Sequence, residues 1–259
     1  MKKSLFAVLV TIATIFLMLG CDNQFPGKTY LVATDATLVP MSFMSVGSDI
    51  IGFEPDLIRA IAKEAKINIR IINVEWAGLF GGLITKKFDM VISSVTVLEE
   101  RKERMAFSES YLKSGLALVV RKNDENINSI DDALKNNFLI GAQIGTTSYF
   151  FLEKDPAIRK RGYQMYGHAV ADLINGKIDA VLGESTGTLF YKNKNKPLFE
   201  KIKMVGEIIT NENYAIVFHK EDTELMSQVN SALQKILADG TAARLHKKWD
   251  LGKTTKIPE

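Results

Sequence analysis

The chain has 259 residues, 46% of them hydrophobic, with 33 basic residues against 30 acidic ones and one cysteine. It is apolar enough to fill more than one compact core, and too evenly charged to leave the basic footprint that nucleic acid requires. A single cysteine excludes an internal disulfide, and neither a G-x-x-x-x-G-K-[ST] nor a G-x-G-x-x-G loop occurs, so no cofactor is expected.

Taken in chain order, Lys2 and Lys3 head an apolar run over 5–19, broken only by Thr11 and Thr14. The run is shorter than the ~20 residues of a membrane span, and reads as a signal peptide over 1–20. It ends Leu17-Met18-Leu19-Gly20-Cys21, which resembles a bacterial lipoprotein cleavage box, with Met18 where the box usually has leucine. That resemblance makes Cys21 a lipidation site. Paired acyl chains, at ~0.8 kcal/mol per buried methylene, give stable anchoring. Asp22 stands where such lipoproteins often carry the signal for retention at the inner membrane, so the periplasmic face of that membrane is expected. Removal of 1–20 leaves 31 basic residues against 30 acids, a net charge of +1. Residues 21–27 form a polar tether.

Beyond the tether, short apolar runs alternate with helical patterns. Strands are expected at 30–34, 67–74, 88–95, 116–120, 138–142, 178–182 and 214–218. A helix is expected from Pro55 to Ala65, with Leu57, Ile58, Ile61, Ala62 and Ala65 on one face and Glu54 and Asp56 at its positive end. Further helices are expected at 79–84, after the capping pair Ser129 and Asp132, over 169–174 up to Gly176, over 225–237 up to Gly240, and over 241–249. Strand–helix alternation implies parallel sheets covered on both faces, with ligands collecting at strand C-termini beside helix N-termini. Polar clusters sit at those places: Ser93-Ser94-Val95-Thr96, Gly145-Thr146-Thr147-Ser148 and Gly183-Glu184-Ser185.

These clusters, in this order, resemble the polar amino-acid-binding family of ABC-importer solute-binding proteins, the family of histidine, glutamine and lysine/arginine/ornithine binders. The likeness covers nearly all of 29–252. It rests on Gly52-Phe53-Glu54-Pro55-Asp56-Leu57, the run Phe88 to Thr96 with Arg101 five residues on, Ala106-Phe107-Ser108, and Gly240-Thr241 before Lys248-Trp249. It implies an α/β, two-lobed periplasmic-binding-protein fold of type II, each lobe a sheet flanked by helices, joined by two crossing hinge strands. Lobe 1 would be 28–115 with 212–252, lobe 2 would be 116–211, and 253–259 a tail. The implied partners are a free amino acid and the permease subunits of an ABC importer, with the binding protein itself a monomer.

The resemblance also implies the site. Arg101 matches the arginine that grips the ligand α-carboxylate through a planar fork. Thr147 matches the threonine that meets the same carboxylate at a helix N-terminus. Ser93, Ser94 and Thr96 match the strand-end residues of the site, Ser94 and Thr96 those touching carboxylate and ammonium. Glu184 matches the ammonium-binding acid, usually Asp, with one methylene more. For the ligand side chain, Trp76 matches a stacking aromatic, and Leu38 stands where a second aromatic is common. Asp35 matches an acid that meets polar or cationic tips, and Gln143 sits at the pocket edge. Arginine or lysine is expected ahead of glutamine.

Two enzymatic alternatives are open. Gly183-Glu184-Ser185-Thr186-Gly187 fits the G-x-S-x-G nucleophile elbow, with Asp222 or Asp239 and His246 to complete a hydrolase triad. Cyclohexadienyl dehydratases resemble these binders and are enzymes. His168, His219 and His246 lie far apart with no paired ligand spacing, so no metal site is expected.

Overall fold

A computed structural model describes residues 25–188 and 200–258; the leader, Cys21 and Asp22 lie outside the described residues. In chain order, β1 (Thr29–Thr34) leads to a small meander of β2 (Thr37–Leu38), β3 (Ser42–Met44) and β4 (Ile50–Ile51). Then come α1 (Phe53–Ala65), β5 (Asn68–Asn73), α2 (Trp76–Ile84), β6 (Met90–Val91), α3 (Glu99–Lys102) and β7 (Met105–Ser114). A second series follows: β8 (Leu116–Arg121), α4 (Ile130–Lys135), β9 (Ile140–Gln143), α5 (Thr147–Glu153), β10 (Lys160–Tyr163), α6 (Tyr166–Ile174), β11 (Ala180–Glu184) and β12 (Ile202–Val205). The chain returns through β13 (Glu212–His219) to α7 (Thr223–Ala238) and α8 (Thr241–Lys248).

The strands form two main sheets, β5-β1-β6-β13-β7 and β10-β9-β11-β8-β12. Pairing is parallel through β5-β1-β6 and β10-β9-β11, then antiparallel at β13 and β8. The sequence reading expected parallel sheets throughout. The difference has a topological cause. Both β8 and β13 are entered from the other sheet and not through a strand–helix–strand crossover, the connection that makes neighbours parallel. The two crossings run side by side. Leu116 N–H donates to Thr210 Oγ1 at 2.9 Å, and Ile209 N–H to the Leu116 carbonyl at 2.8 Å. Gly115 is required there, since a Cβ would stand 2.0 Å from the Thr210 carbonyl oxygen.

Strand alternation distributes the core over both faces of each sheet. In the first sheet Val32, Met90, Ile92, Ile216 and Phe218 pack with the α1 and α7 residues Leu57, Ile58, Ile61, Val229 and Leu233. Their neighbours Ala33, Val91 and Val217 face Leu79 and Leu83 of α2. In the second sheet Leu116, Leu118, Val120 and Leu182 pack with Ala133 and Leu152, while Val119 and Val181 meet Ala169, Val170 and Leu173 of α6.

Local chemistry sets the element ends. α1 begins at Phe53, two residues ahead of the expected Pro55, because Gly52 turns the chain at φ 137° and lets Phe53 and Glu54 N–H reach the Pro40 and Met41 carbonyls. Ser129 caps α4 by accepting from Asp132 N–H at 3.1 Å, but the Asp132 carboxylate turns to Asn128 N–H, so the reciprocal half of the box is shifted by one residue.

Candidate ligand-binding cleft

The C-terminal ends of the parallel strands bring the polar clusters together, as their positions predict. Asp35, Leu38, Trp76, Ser93, Ser94, Thr96, Arg101, Gln143, Thr147 and Glu184 all line one cavity. Thr146 and Ser148, from the second polar cluster, line it too, as do Thr37 and Tyr166, which sequence reasoning missed. Tyr166 opens α6 opposite Leu38, so an aromatic ring reaches this side of the cleft from the second sheet.

Arg101, only 8% exposed, leans across the cleft from α3. Its N–H groups donate to the Thr96 carbonyl at 3.0 Å and to the Gly145 carbonyl, from the second sheet's side, at 3.1 Å. The guanidinium carbon lies 4.9 Å from the Phe80 ring centre and 5.7 Å from that of Trp76. Burial lowers the Arg101 pKa to about 10, against the pull of Glu184 and Glu212, and it is charged at neutral pH. Thr147 opens α5 behind the cap Thr146, so its N–H belongs to the first turn, which has no partner within the helix.

Hydroxyl protons fix which way the other groups can act. Ser94 stands at φ 49° at the end of the β6 run, and both its N–H and its hydroxyl donate to Oε1 of Glu54. Tyr111 donates to the same oxygen at 2.6 Å. Glu54, expected at the positive end of a helix, is therefore also a buried acceptor within the core. It is 1% exposed, and burial lifts its pKa against the hydrogen bonds of Tyr111 and Ser94. Thr96 spends its hydroxyl proton on Glu212 at 2.6 Å. Ser94 and Thr96 hydroxyls thus offer only lone pairs to the cleft, which suits an ammonium and not a carboxylate.

Glu184, at the end of β11, accepts from the Tyr214 hydroxyl, and its Oε1 lies 2.9 Å from Thr147 Oγ1. Its pKa is raised to about 8, first by burial and then by Glu212. Glu212 is 6% exposed and accepts from Thr96, Thr147 and Thr210. Nothing in its sequence surroundings, Thr210 to Asn213, marks it as part of the site; only the return strand brings it there.

Asp35 extends from the end of β1, its N–H held by Ser93 Oγ at 3.0 Å. Its carboxylate accepts from Thr37 at 2.7 Å and from Trp76 N–H at 3.0 Å, tying the first turn of α2 to β1. Each oxygen keeps a free lone pair. Burial raises its pKa, chiefly against the Thr37 bond. Trp76 stands edge-on to Phe80, ring centres 5.3 Å apart, and Gln143 donates to the Gln164 carbonyl at the rim.

The nucleophile elbow is corrected by the structure. Ser185 is fully buried and its hydroxyl meets Ser114 at 3.1 Å, while His246 pairs with Thr255 in the C-terminal region. A serine with no access to the cleft and no histidine beside it is not a hydrolase nucleophile.

Two hinged α/β sheets with a cleft between them define a type II solute-binding fold. Residues 30–253 match the bacterial extracellular solute-binding proteins, family 3, and the chain belongs to that family. It is 30% identical over 243 residues to the arginine-binding periplasmic protein of Mannheimia haemolytica, covering 92% of this chain and 97% of the relative. It is 28% identical over 229 residues to the L-cystine-binding protein TcyJ of Escherichia coli (strain K12), covering 88% of this chain and 85% of the relative. Among solved structures, an ancestral arginine-binding protein bound to glutamine aligns with TM-score 0.81 and 31% identity, over 88% of this chain and 100% of that one.

Proposed function

We propose that this protein captures a free L-amino acid outside the cytoplasm, with arginine or lysine favoured and glutamine next, and delivers it to an ABC permease. It acts by binding, not by turnover. The observation that carries the reading is the charge layout of the cleft. One guanidinium, Arg101, serves the ligand carboxylate. Four carboxylates lie in or one hydrogen bond from the same cavity: Asp35, Glu184, Glu212, and Glu54, whose Oε1 is taken by Ser94 and Tyr111. Glu184 takes the ammonium with the lone pairs of Ser94, Thr96 and Thr147. Asp35 is then left over, next to the Trp76 ring, for a cationic tip. An uncharged side chain leaves that acid without a counter-charge.

In this reading the lobes, 28–115 with 212–252 and 116–211, close about the paired crossings at Gly115 and 206–211. Cys21 carries the lipid that holds the protein at the membrane, after removal of 1–20. A thermal-shift screen of the proteinogenic amino acids, with ornithine and cystine, tests the ligand class. A ligand at 100 times its dissociation constant adds about 2.7 kcal/mol of stability. Arginine and lysine are expected to shift melting most. A response to cystine or glutamine alone would refute the cationic preference, and no response to any amino acid would refute the function.

A further inference from the structure

Thr147 has a single hydroxyl proton, yet its Oγ1 lies 2.9 Å from Glu184 Oε1 and 3.0 Å from Glu212 Oε2. It can donate to only one of them. Against the other it sets lone pair to lone pair, unless that carboxyl carries a proton. The remaining oxygens already accept: Glu184 Oε2 from Tyr214, Glu212 Oε1 from Thr210 at 2.9 Å, and Glu212 Oε2 also from Thr96 at 2.6 Å. The proton can sit on either carboxyl, but on Glu212 it would fall on Oε2, which already accepts a 2.6 Å bond from Thr96, and a protonated oxygen is the poorer acceptor, so it is placed on the other. Glu184 is protonated and donates to Thr147, which donates to an ionised Glu212.

We infer that Glu212, acting through Thr147, is a positioning residue of the ammonium subsite, and that the Glu184–Thr147–Glu212 chain holds one proton which the ligand's ammonium replaces. This rests on the amino-acid reading of the cleft. The exchange balances: the free amino acid arrives as R–NH3⁺, the Glu184 carboxyl loses its proton to solvent, and the resulting carboxylate pairs with the ammonium. One proton leaves per ligand bound.

The groups that face Glu184 agree with this. β13 presents Glu212 and Tyr214, α3 presents Arg101, and α6 presents Tyr166. The β8 and β9 residues paired with β11, Leu116 to Val120 with Ile140 and Gly141, carry no charge. Glu153, at the far end of α5, is exposed. Burial and the Glu212 charge hold the Glu184 pKa at about 8, so that roughly nine tenths of the molecules keep the proton at pH 7.

Calorimetry of L-arginine and L-glutamine at pH 7, in phosphate and in Tris, counts the proton directly. The wild-type enthalpies are expected to differ between the two buffers by about the difference of the buffers' ionisation heats for one proton. Affinity should rise close to tenfold per unit from pH 6 toward about 8. Glu184→Gln is expected to bind with no buffer dependence. Glu212→Gln is expected to release fewer protons than wild type, because Glu184 keeps its burial but loses the neighbouring charge. Wild-type binding with equal enthalpies in both buffers would overturn the inference and leave the amino-acid reading intact. An unchanged proton count in Glu212→Gln would remove Glu212 from it. Failure of both ligands to bind would overturn the reading and the inference together.

Discussion

Arg101 brings a fork of N–H donors to the cleft, two of them spent on the Thr96 and Gly145 carbonyls. Arg101→Ala is expected to leave the unliganded fold intact and to weaken binding by about 2–5 kcal/mol, roughly 30-fold or more. Arg101→Lys should not restore it, because an ammonium cannot make two parallel bonds to a carboxylate. Asp35→Asn keeps shape but removes charge. Titration should show arginine weakened much more than glutamine; equal losses would place the ligand tip elsewhere. Glu54 behaves differently because its partners are internal. Glu54→Ala strands the Ser94 N–H, the Ser94 hydroxyl and the Tyr111 hydroxyl in the core. Each buried unsatisfied donor costs about 1–3 kcal/mol, so denaturant unfolding should show a loss of several kcal/mol. Glu54→Gln, which keeps an acceptor, should lose less. A sequence shows that an acid stands at a helix start. It does not show that the helix start is buried.

At the scale of elements, α1 was legible because its apolar residues repeat at helical spacing and a glycine precedes it. The same glycine gives a sharp test. Gly52 sits at φ 137°, and an added Cβ would lie 2.3 Å from the Met41 carbonyl oxygen. Gly176 is also left-handed, at φ 73°, but has open space around it. Gly176→Ala should cost about 1–2 kcal/mol, the price of the backbone region alone. Gly52→Ala should cost clearly more, with the difference read from unfolding midpoints. β7 escaped sequence reading because Ser108, Ser110 and Ser114 interrupt its apolar pattern. The structure buries Ser108 and Ser114, and Ser110 donates to backbone carbonyls, so these hydroxyls serve the strand as internal polar groups. β10 is short and mostly half-buried, which leaves no periodicity to detect.

For the whole molecule, the raised carboxyls lower stability as pH rises, while His246, its pKa lowered by burial, acts in the opposite direction. Glu184 has a folded pKa of about 8 against an ordinary 4.5, and Asp35 and Glu54 are shifted in the same direction. Between those limits the folded state binds more protons than the unfolded chain, so stability is full below about 4.5 and is lost as pH rises toward about 8. Unliganded protein should therefore melt higher at pH 5.5 than at pH 8, with the slope reduced in Glu184→Gln. Saturating ligand should offset the loss, because the ammonium replaces the proton. Equal pH slopes in wild type and Glu184→Gln would show that Glu184 stays ionised. Anchoring is tested separately: wild type should partition with membranes, and Cys21→Ser should appear in the soluble envelope fraction.

The sequence by itself determined the alternation of strands and helices and the polar clusters at strand ends, and its resemblance to a known family pointed to ten of the residues that line the cleft. These are local facts: hydrophobic period, turn residues, and a short ordered motif that ends in Arg101. Only the tertiary structure decided the mixed pairing of the sheets, the burial of Glu54, and the entry of Glu212 and Tyr214 into the site. The reason is the hinge. A strand that crosses back from the second sheet places Glu212 beside Thr96 and Thr147, residues 116 and 65 positions away. No pattern within a helix turn or a strand pleat reaches that far, and proximity across a closed chain is set by packing alone.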